Sequence, residues 1–158
     1  GAPSRTLIPG YQNHLKEVEE LVQKINLKFQ SGNYRPILFL KSHHPQEEIR
    51  HFYKMADFCL VSSLHDGMNL VAKEFVTART DEDGVLILSR FTGASHEFSS
   101  ALQINPYDIE GTAGAIHQAL TMMPGEKRER MKKLRGIIQE YNVYRWAADI
   151  ITELVKSF

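Results

Sequence analysis

The chain has 158 residues, with 19 Lys plus Arg balanced by 19 Asp plus Glu, 42% hydrophobic and 24% charged residues. These proportions are those of an ordinary globular domain and exclude a disordered or fibrous chain. A formal charge of zero gives no long-range attraction to nucleic acid or to an anionic membrane, so any anion site must be local. No apolar run approaches the ~20 residues of a membrane span, and no secretory signal opens the sequence. Cys59 is the only cysteine, which rules out an intrachain disulfide and argues against a cysteine-rich metal site. The length suits one domain burying roughly 70% of its unfolded surface, and the cytoplasm is the expected compartment.

Gly1 to Gly10, with Pro3 and Pro9, reads as a loop. From Tyr11 onward Leu15, Val18, Val22, Ile25 and Phe29 recur at three- and four-residue steps. That spacing predicts an amphipathic helix ended by Ser31-Gly32-Asn33. Ile37 to Leu40 is a short unbroken apolar run, expected as a strand covered on both faces. Pro45 opens a helix with Ile49, Phe52, Tyr53 and Ala56 on its inner side. A second strand is expected at Phe58–Val61, a turn at Ser62–Gly67 and a helix from about Asn69 to Arg79. A third strand at Val85–Leu88 leads into the loop Ser89–Ser100, and a brief fourth strand covers Leu102–Ile104. Asp108 is placed to cap a helix bearing Ile109, Ala113, Ile116 and Leu120. Two more helices follow, from about Glu126 to Gln139 and from Tyr144 to Lys156. In the last, Trp146, Ile150, Leu154 and Phe158 form one apolar stripe.

Helices alternating with short, doubly covered strands predict an α/β fold, a Rossmann-like parallel sheet with helices on both faces. Such sheets bind ligands beyond the carboxyl ends of their strands, which directs attention to Lys41–Pro45, Ser62–Asn69 and Ser89–Glu97. The richest of these runs Leu64-His65-Asp66-Gly67-Met68-Asn69-Leu70-Val71-Ala72-Lys73-Glu74. Gly67 allows a sharp turn without a side chain. The N–H groups from Asn69 to Val71 then fall at a helix N-terminus, where orphan donors and the helix dipole favour phosphate oxygens. Asp66 suits the hydroxyls of a neighbouring sugar. Glu74, one turn past Leu70 on the same face, falls about one ribose away from the phosphates. The simpler reading makes Asp66 a helix cap and Glu74 a solvated charge.

The stretches HDGMNLVAKEF, GVLILSRFTGASHEFSSALQINPYD and AIHQALTMMPGEKRERM resemble the trehalose-6-phosphate synthases, retaining glycosyltransferases built from two Rossmann-like domains in the GT-B arrangement. The likeness runs from Ala2 to the C-terminus and covers only the C-terminal, nucleotide-sugar-binding half. It implies one domain over residues 1–158, lacking its opening strand and helix, with a partner N-terminal domain outside the chain. By the resemblance, Asp66 is the catalytic-site acidic group that binds the hydroxyls of the donor glucose. Gly67 and the backbone N–H groups of Met68, Asn69, Leu70 and Val71 hold the donor's sugar and diphosphate, and Glu74 takes both ribose hydroxyls of a uridine nucleotide. The backbone around His43 and His44 faces the uracil edge, and Arg5, in Ser4-Arg5, contacts the phosphate of glucose 6-phosphate. His65 stands where the family usually has arginine, and Ser95 where alanine is more usual.

The implied reaction transfers glucose from UDP-glucose to glucose 6-phosphate with retention. No metal or other cofactor is needed, and the partners are a nucleotide sugar, a sugar phosphate and the second domain. With an Arg/Lys pair and the acceptor pocket belonging to segments outside the chain, the fragment is expected to fold without turning over. Homo-oligomerisation of the full-length enzyme stays open. Alternatives are a synthase of another glucoside phosphate, such as a glucosylglycerol-phosphate-type enzyme, a pseudo-glycosyltransferase, or a non-catalytic nucleotide-sugar-binding module. A flavodoxin-like signalling domain is disfavoured, because no acidic cluster marks a sheet edge. Elsewhere the expectations are structural. His43 and His44 are not a metal pair, Cys59 is a small core residue, and Lys127–Arg135 is the wet face of a helix. Met122 and Met123 are expected in the core or at a helix end, and Trp146 as a packing anchor, its ring also suiting an interdomain seam.

Overall fold

A computed structural model describes residues 8–156. The chain divides into two compact units, one ending at Gln46 and the other beginning at Glu47.

In the first unit, helix α1 spans Pro9–Phe29, two residues ahead of the expected start. Pro9 occupies the first helical position, where a missing N–H costs nothing. Val18, Val22 and Ile25 are half-buried, while Leu15 and Phe29 are exposed, and no residue of α1 is fully buried. After a turn closed by the antiparallel bridge between Ser31 and Tyr34, the apolar run Ile37–Leu40 forms no strand. A strand needs a ladder partner, and here the peptide groups of Ile37 go elsewhere. The Asn26 carboxamide donates to the Ile37 carbonyl and accepts from its N–H, both at 2.9 Å. Lys41 adds an ion pair to Glu19 on α1, at 2.8 Å.

The second unit takes in helix α2 (Gln46–Met55) from Glu47 on, then strand β1 (Phe58–Val61), helix α3 (Leu70–Ala78), strand β2 (Val85–Ser89) and the single turn α4 (Ala94–Glu97). Strand β3 (Leu102–Ile104) and helices α5 (Ile109–Thr121), α6 (Pro124–Glu140) and α7 (Val143–Lys156) complete it. The three strands form a parallel sheet in the order β1-β2-β3, with Phe58 beside Val85 and Ile87 beside Leu102. Every residue of the central strand β2 is buried. Because side chains alternate across a strand, Leu86 and Leu88 join one core with Phe75, Val76, Met131 and Leu134 of α3 and α6. Val85 and Ile87 join a second core with Leu102, Ile104, Ala119 and Met122, on the α5 side. Helices therefore cover both faces, as the alternation of helices and short strands predicts. Cys59 packs, half-buried, at the margin of the first core, and burial pushes its thiol up to about 11.

Asp108 caps α5 as expected, its carboxylate accepting from the Gly111 N–H at 2.9 Å. The basic cluster of α6 is only partly a wet face. Arg130 donates to the Ser100 carbonyl, and Arg135 to the carbonyls of Val76 and Thr77, closing the C-terminal end of α3. Met122 is buried but Met123 is not. The packing role expected of Trp146 fails: it is 60% exposed, and α7 buries no residue. Ile150 and Leu154 on the same stripe are exposed too, and Phe158 lies outside the described residues.

Arg79, just past α3, is the buried polar tie of this unit. Its Nη1 donates to the carbonyls of Tyr53, Lys54 and Ala56 at 3.2, 2.8 and 2.7 Å, capping the end of α2, while Nη2 meets Asp81 at 3.0 Å. A planar guanidinium serves several acceptors at once; an ammonium cannot reproduce the fork. Arg79→Met is therefore expected to lower stability by about 3 kcal/mol, and Arg79→Lys to recover less than half of that, as measured by urea unfolding.

Candidate functional site

Parallel strands send their following loops to one end of the sheet, and here two of those loops are laced together. Asp66, after β1, bridges to Thr92, after β2. The Asp66 N–H donates to the Phe91 carbonyl, the Gly93 N–H to the Asp66 carbonyl, and the Ala94 N–H to the Met68 carbonyl, at 3.3, 3.0 and 2.9 Å. This seam needs a glycine, but at Gly93. A Cβ there would land on the Gly67 carbonyl, whereas a Cβ on Gly67 meets nothing within 4 Å. Gly67 does not use the left-handed backbone region either. The residue that does is Asn69, at φ 73°, and asparagine is among the few side chains that tolerate it. The sharp turn expected of Gly67 is thus made two residues later.

Asn69 is 5% exposed and caps α3, its Oδ1 accepting from the Ala72 N–H at 2.9 Å. Its Nδ2 donates to Asp66 Oδ2 at 2.9 Å and to Ser63 Oγ at 3.3 Å. Asp66 Oδ1 in turn accepts the N–H groups of Met68 and Asn69, at 3.1 and 2.8 Å. Two of the four N–H groups expected to face a diphosphate are therefore taken by the side chain that begins the turn, because a carboxylate two and three residues upstream reaches them directly. The N–H groups of Leu70 and Val71 have no acceptor among the described residues. They stand on the first turn of α3, at the positive end of its dipole.

The Met68 N–H, helped by the Asn69 carboxamide and N–H, holds the Asp66 carboxyl below its ordinary 3.8. A depressed acid stabilises the fold above its ordinary value, and that contribution is lost only as the pH falls through the lowered one. At neutral pH Asp66 is an anion with Oδ1 doubly occupied and one acceptor direction left on Oδ2. It can hold a hydroxyl; it has no proton to give.

Glu74 is exposed on α3, one turn beyond Leu70 as its spacing predicts. The Tyr53 hydroxyl donates to its Oε2 at 3.3 Å. Lys73 pairs with Glu97 of α4 at 2.9 Å, tying the two helices beside the seam. His44 belongs to the first unit, where its Nε2 lies 3.2 Å from Ser42 Oγ. The second unit alone therefore does not contain the group expected at the uracil edge. Arg5, expected at an acceptor phosphate, lies outside the described residues. Among the described residues no group of three or more His, Cys, Asp or Glu is placed to hold a metal ion, and no helix is long and apolar enough to cross a membrane. The local sequence pattern does not single out Gly93 as the tight contact or Asn69 as the cap. Helical spacing marks Tyr53 only as a residue of the apolar face of α2.

Glycosyltransferase family 20 matches the chain over residues 1–156. An alpha,alpha-trehalose-phosphate synthase [UDP-forming] A of Dictyostelium discoideum is 40% identical over 98% of this chain and 21% of its own length. A Burkholderia xenovorans alpha,alpha-trehalose-phosphate synthase (UDP-forming), solved in complex with glucose-6-phosphate, superposes with TM-score 0.93 at 35% identity, over 98% of this chain and 34% of that one. An E. coli trehalose-6-phosphate structure bound with UDP-2-fluoro glucose superposes with TM-score 0.92 at 36% identity, over 96% and 34%. The chain spans between about a fifth and a third of the length of these relatives.

The two glycines separate folding from binding. Gly93→Ala is expected to cost about 1–3 kcal/mol by overpacking the seam, and Gly67→Ala to stay within about 0.5 kcal/mol of the parent, both read from urea unfolding midpoints.

Proposed function

We propose, starting from the fact that the chain belongs to glycosyltransferase family 20, that its Asp66–Glu74 segment is the donor site of a trehalose-6-phosphate synthase. The whole enzyme transfers glucose from UDP-glucose to glucose 6-phosphate with the anomeric configuration kept. The observation that carries this reading is the pair of open N–H groups of Leu70 and Val71 at the head of α3, with Asp66 before them in the chain and Glu74 one turn after Leu70. The relatives that are UDP-forming synthases support the nucleotide, and the complexes with glucose-6-phosphate and with UDP-2-fluoro glucose support acceptor and donor.

The two N–H groups take oxygens of the departing diphosphate and stabilise the charge that builds there as the glycosidic bond breaks. Met68 and Asn69 keep their N–H groups on Asp66, or yield them to the donor if the Asp66 side chain turns toward glucose. Asp66 accepts a glucose hydroxyl through Oδ2 and so orients the ring; being ionised, it is not the acid. A retaining glycosidase would need two carboxyl groups about 5–5.5 Å apart on one sugar, whereas Glu74 is assigned to the ribose. Transfer therefore proceeds at one face, the leaving phosphate accepting the proton of the incoming hydroxyl. The chain's contribution is alignment and charge stabilisation.

The chain's share of its relatives' length leaves room for a second Rossmann-like domain, to which we assign the acceptor pocket and the Arg/Lys pair that completes diphosphate binding. Arg5 is assigned to the acceptor phosphate. No metal enters this scheme, and we place the reaction in the cytoplasm.

A charge-assisted hydrogen bond is worth about 1.5–3 kcal/mol. Glu74→Ala should therefore weaken uridine diphosphate binding about ten- to a hundredfold, measured by calorimetry or by ligand-detected resonance where affinity is low. Unchanged affinity removes Glu74 from the ribose and defeats the donor-site assignment.

A further inference from the structure

We propose that Tyr53 is a positioning residue of the donor site, holding Glu74 in the rotamer that reads ribose. The assignment rests on the donor-site reading above and adds to it the element that fixes the acidic group. Glu74 sits on the exposed side of α3, where a glutamate ordinarily samples several rotamers, and ordering such a chain on binding costs free energy. Here one of its oxygens is already held: the Tyr53 hydroxyl, from α2, donates to Oε2 at 3.3 Å.

Tyr53 is itself fixed at two further points. Its ring meets Phe75, the residue after Glu74, edge-on, with centroids 6.0 Å apart at 80°, and Phe75 is fully buried. Its carbonyl accepts from the buried Arg79 guanidinium at 3.2 Å, together with the carbonyls of Lys54 and Ala56. A clamp from the far end of α3 thus fixes the tyrosine that reaches back to the middle of the same helix. Burial, followed by the nearby Glu74 carboxylate, pushes the phenol's pKa upward. It therefore stays protonated at any pH an enzyme meets, and it always donates. Oε1 is left free of this bond, and Oε2 retains a second acceptor direction. That is enough for two ribose hydroxyls bound side by side.

The test compares uridine diphosphate with its dideoxyribose analogue, which lacks both hydroxyls, on the unsubstituted chain, Tyr53→Phe and Glu74→Ala, with affinities read by ligand-detected magnetic resonance. Tyr53→Phe keeps the ring against Phe75 and removes only the hydroxyl. The expected result is a three- to tenfold loss of affinity for uridine diphosphate, on the scale of one hydrogen bond. Affinity for the dideoxy analogue should be unchanged, and the substitution should have no further effect in the Glu74→Ala background. Equal losses for both nucleotides would mean that Tyr53 only supports the fold, and no loss for either would mean that Glu74 orders itself; each overturns the proposal. If Glu74→Ala is also without effect, or uridine diphosphate does not bind the unsubstituted chain, the donor-site reading fails and the assignment falls with it. Sensitivity to Glu74→Ala without sensitivity to Tyr53→Phe leaves the donor site standing and removes Tyr53 alone.

Discussion

The carboxylate of Asp66 accepts three N–H bonds from the two residues that end its own turn, and the site depends on that cluster. It draws the chain into the left-handed conformation of Asn69, which aims the Asn69 carbonyl oxygen of the side chain at Ala72 and starts α3 abruptly. The cap takes the N–H of Ala72, the third helical residue, and leaves those of Leu70 and Val71 as donors for an external anion. One ionised side chain therefore both shapes the loop and, through its remaining acceptor direction, can meet a sugar hydroxyl.

Helix α3 transmits this arrangement to the rest of the second unit. Its buried face, Ala72, Phe75 and Val76, packs under β2 with α6, so the helix cannot shift without disturbing the core. Its C-terminal carbonyls are met by Arg135 and its following residue, Arg79, grips the end of α2. Its exposed side carries Glu74. The interior of the helix answers to packing, and its first turn is where the proposed ligand chemistry lies. The Gly93 seam joins the two by pinning the β1 and β2 loops at a fixed separation.

Much of this was legible in the residues. β1 and β3 fall where the sequence places them, each ending in a buried apolar residue, Val61 and Ile104, although Leu60 and Gln103 are exposed. Asp108 caps α5 through a local bond that depends on nothing distant. Glu74 lies where helical spacing puts it. What could not be read depended on partners far along the chain. Gly67 looks like the turn glycine, but the crowding is at Gly93, twenty-six residues away in sequence and adjacent only once the sheet has formed. Ile37–Leu40 has a strand's composition, yet the Asn26 carboxamide takes both peptide groups of Ile37, at its start. Trp146 has the spacing of a packing residue on a helix that buries nothing, and periodicity reports amphipathicity without saying what covers the apolar side. Tyr53 serves the core with its ring and the site with its hydroxyl, and an apolar pattern registers only the first.

The central claim is that the two uncommitted N–H groups at the head of α3 receive a diphosphate. It is tested most directly by following backbone amide resonances of the chain while inorganic pyrophosphate, and then uridine diphosphate, is added. The account predicts that the Leu70 and Val71 amides move most and saturate together with both ligands, while those of β3 and α6 stay in place. Stationary Leu70 and Val71 signals, with the largest movement elsewhere or none at all, would contradict it.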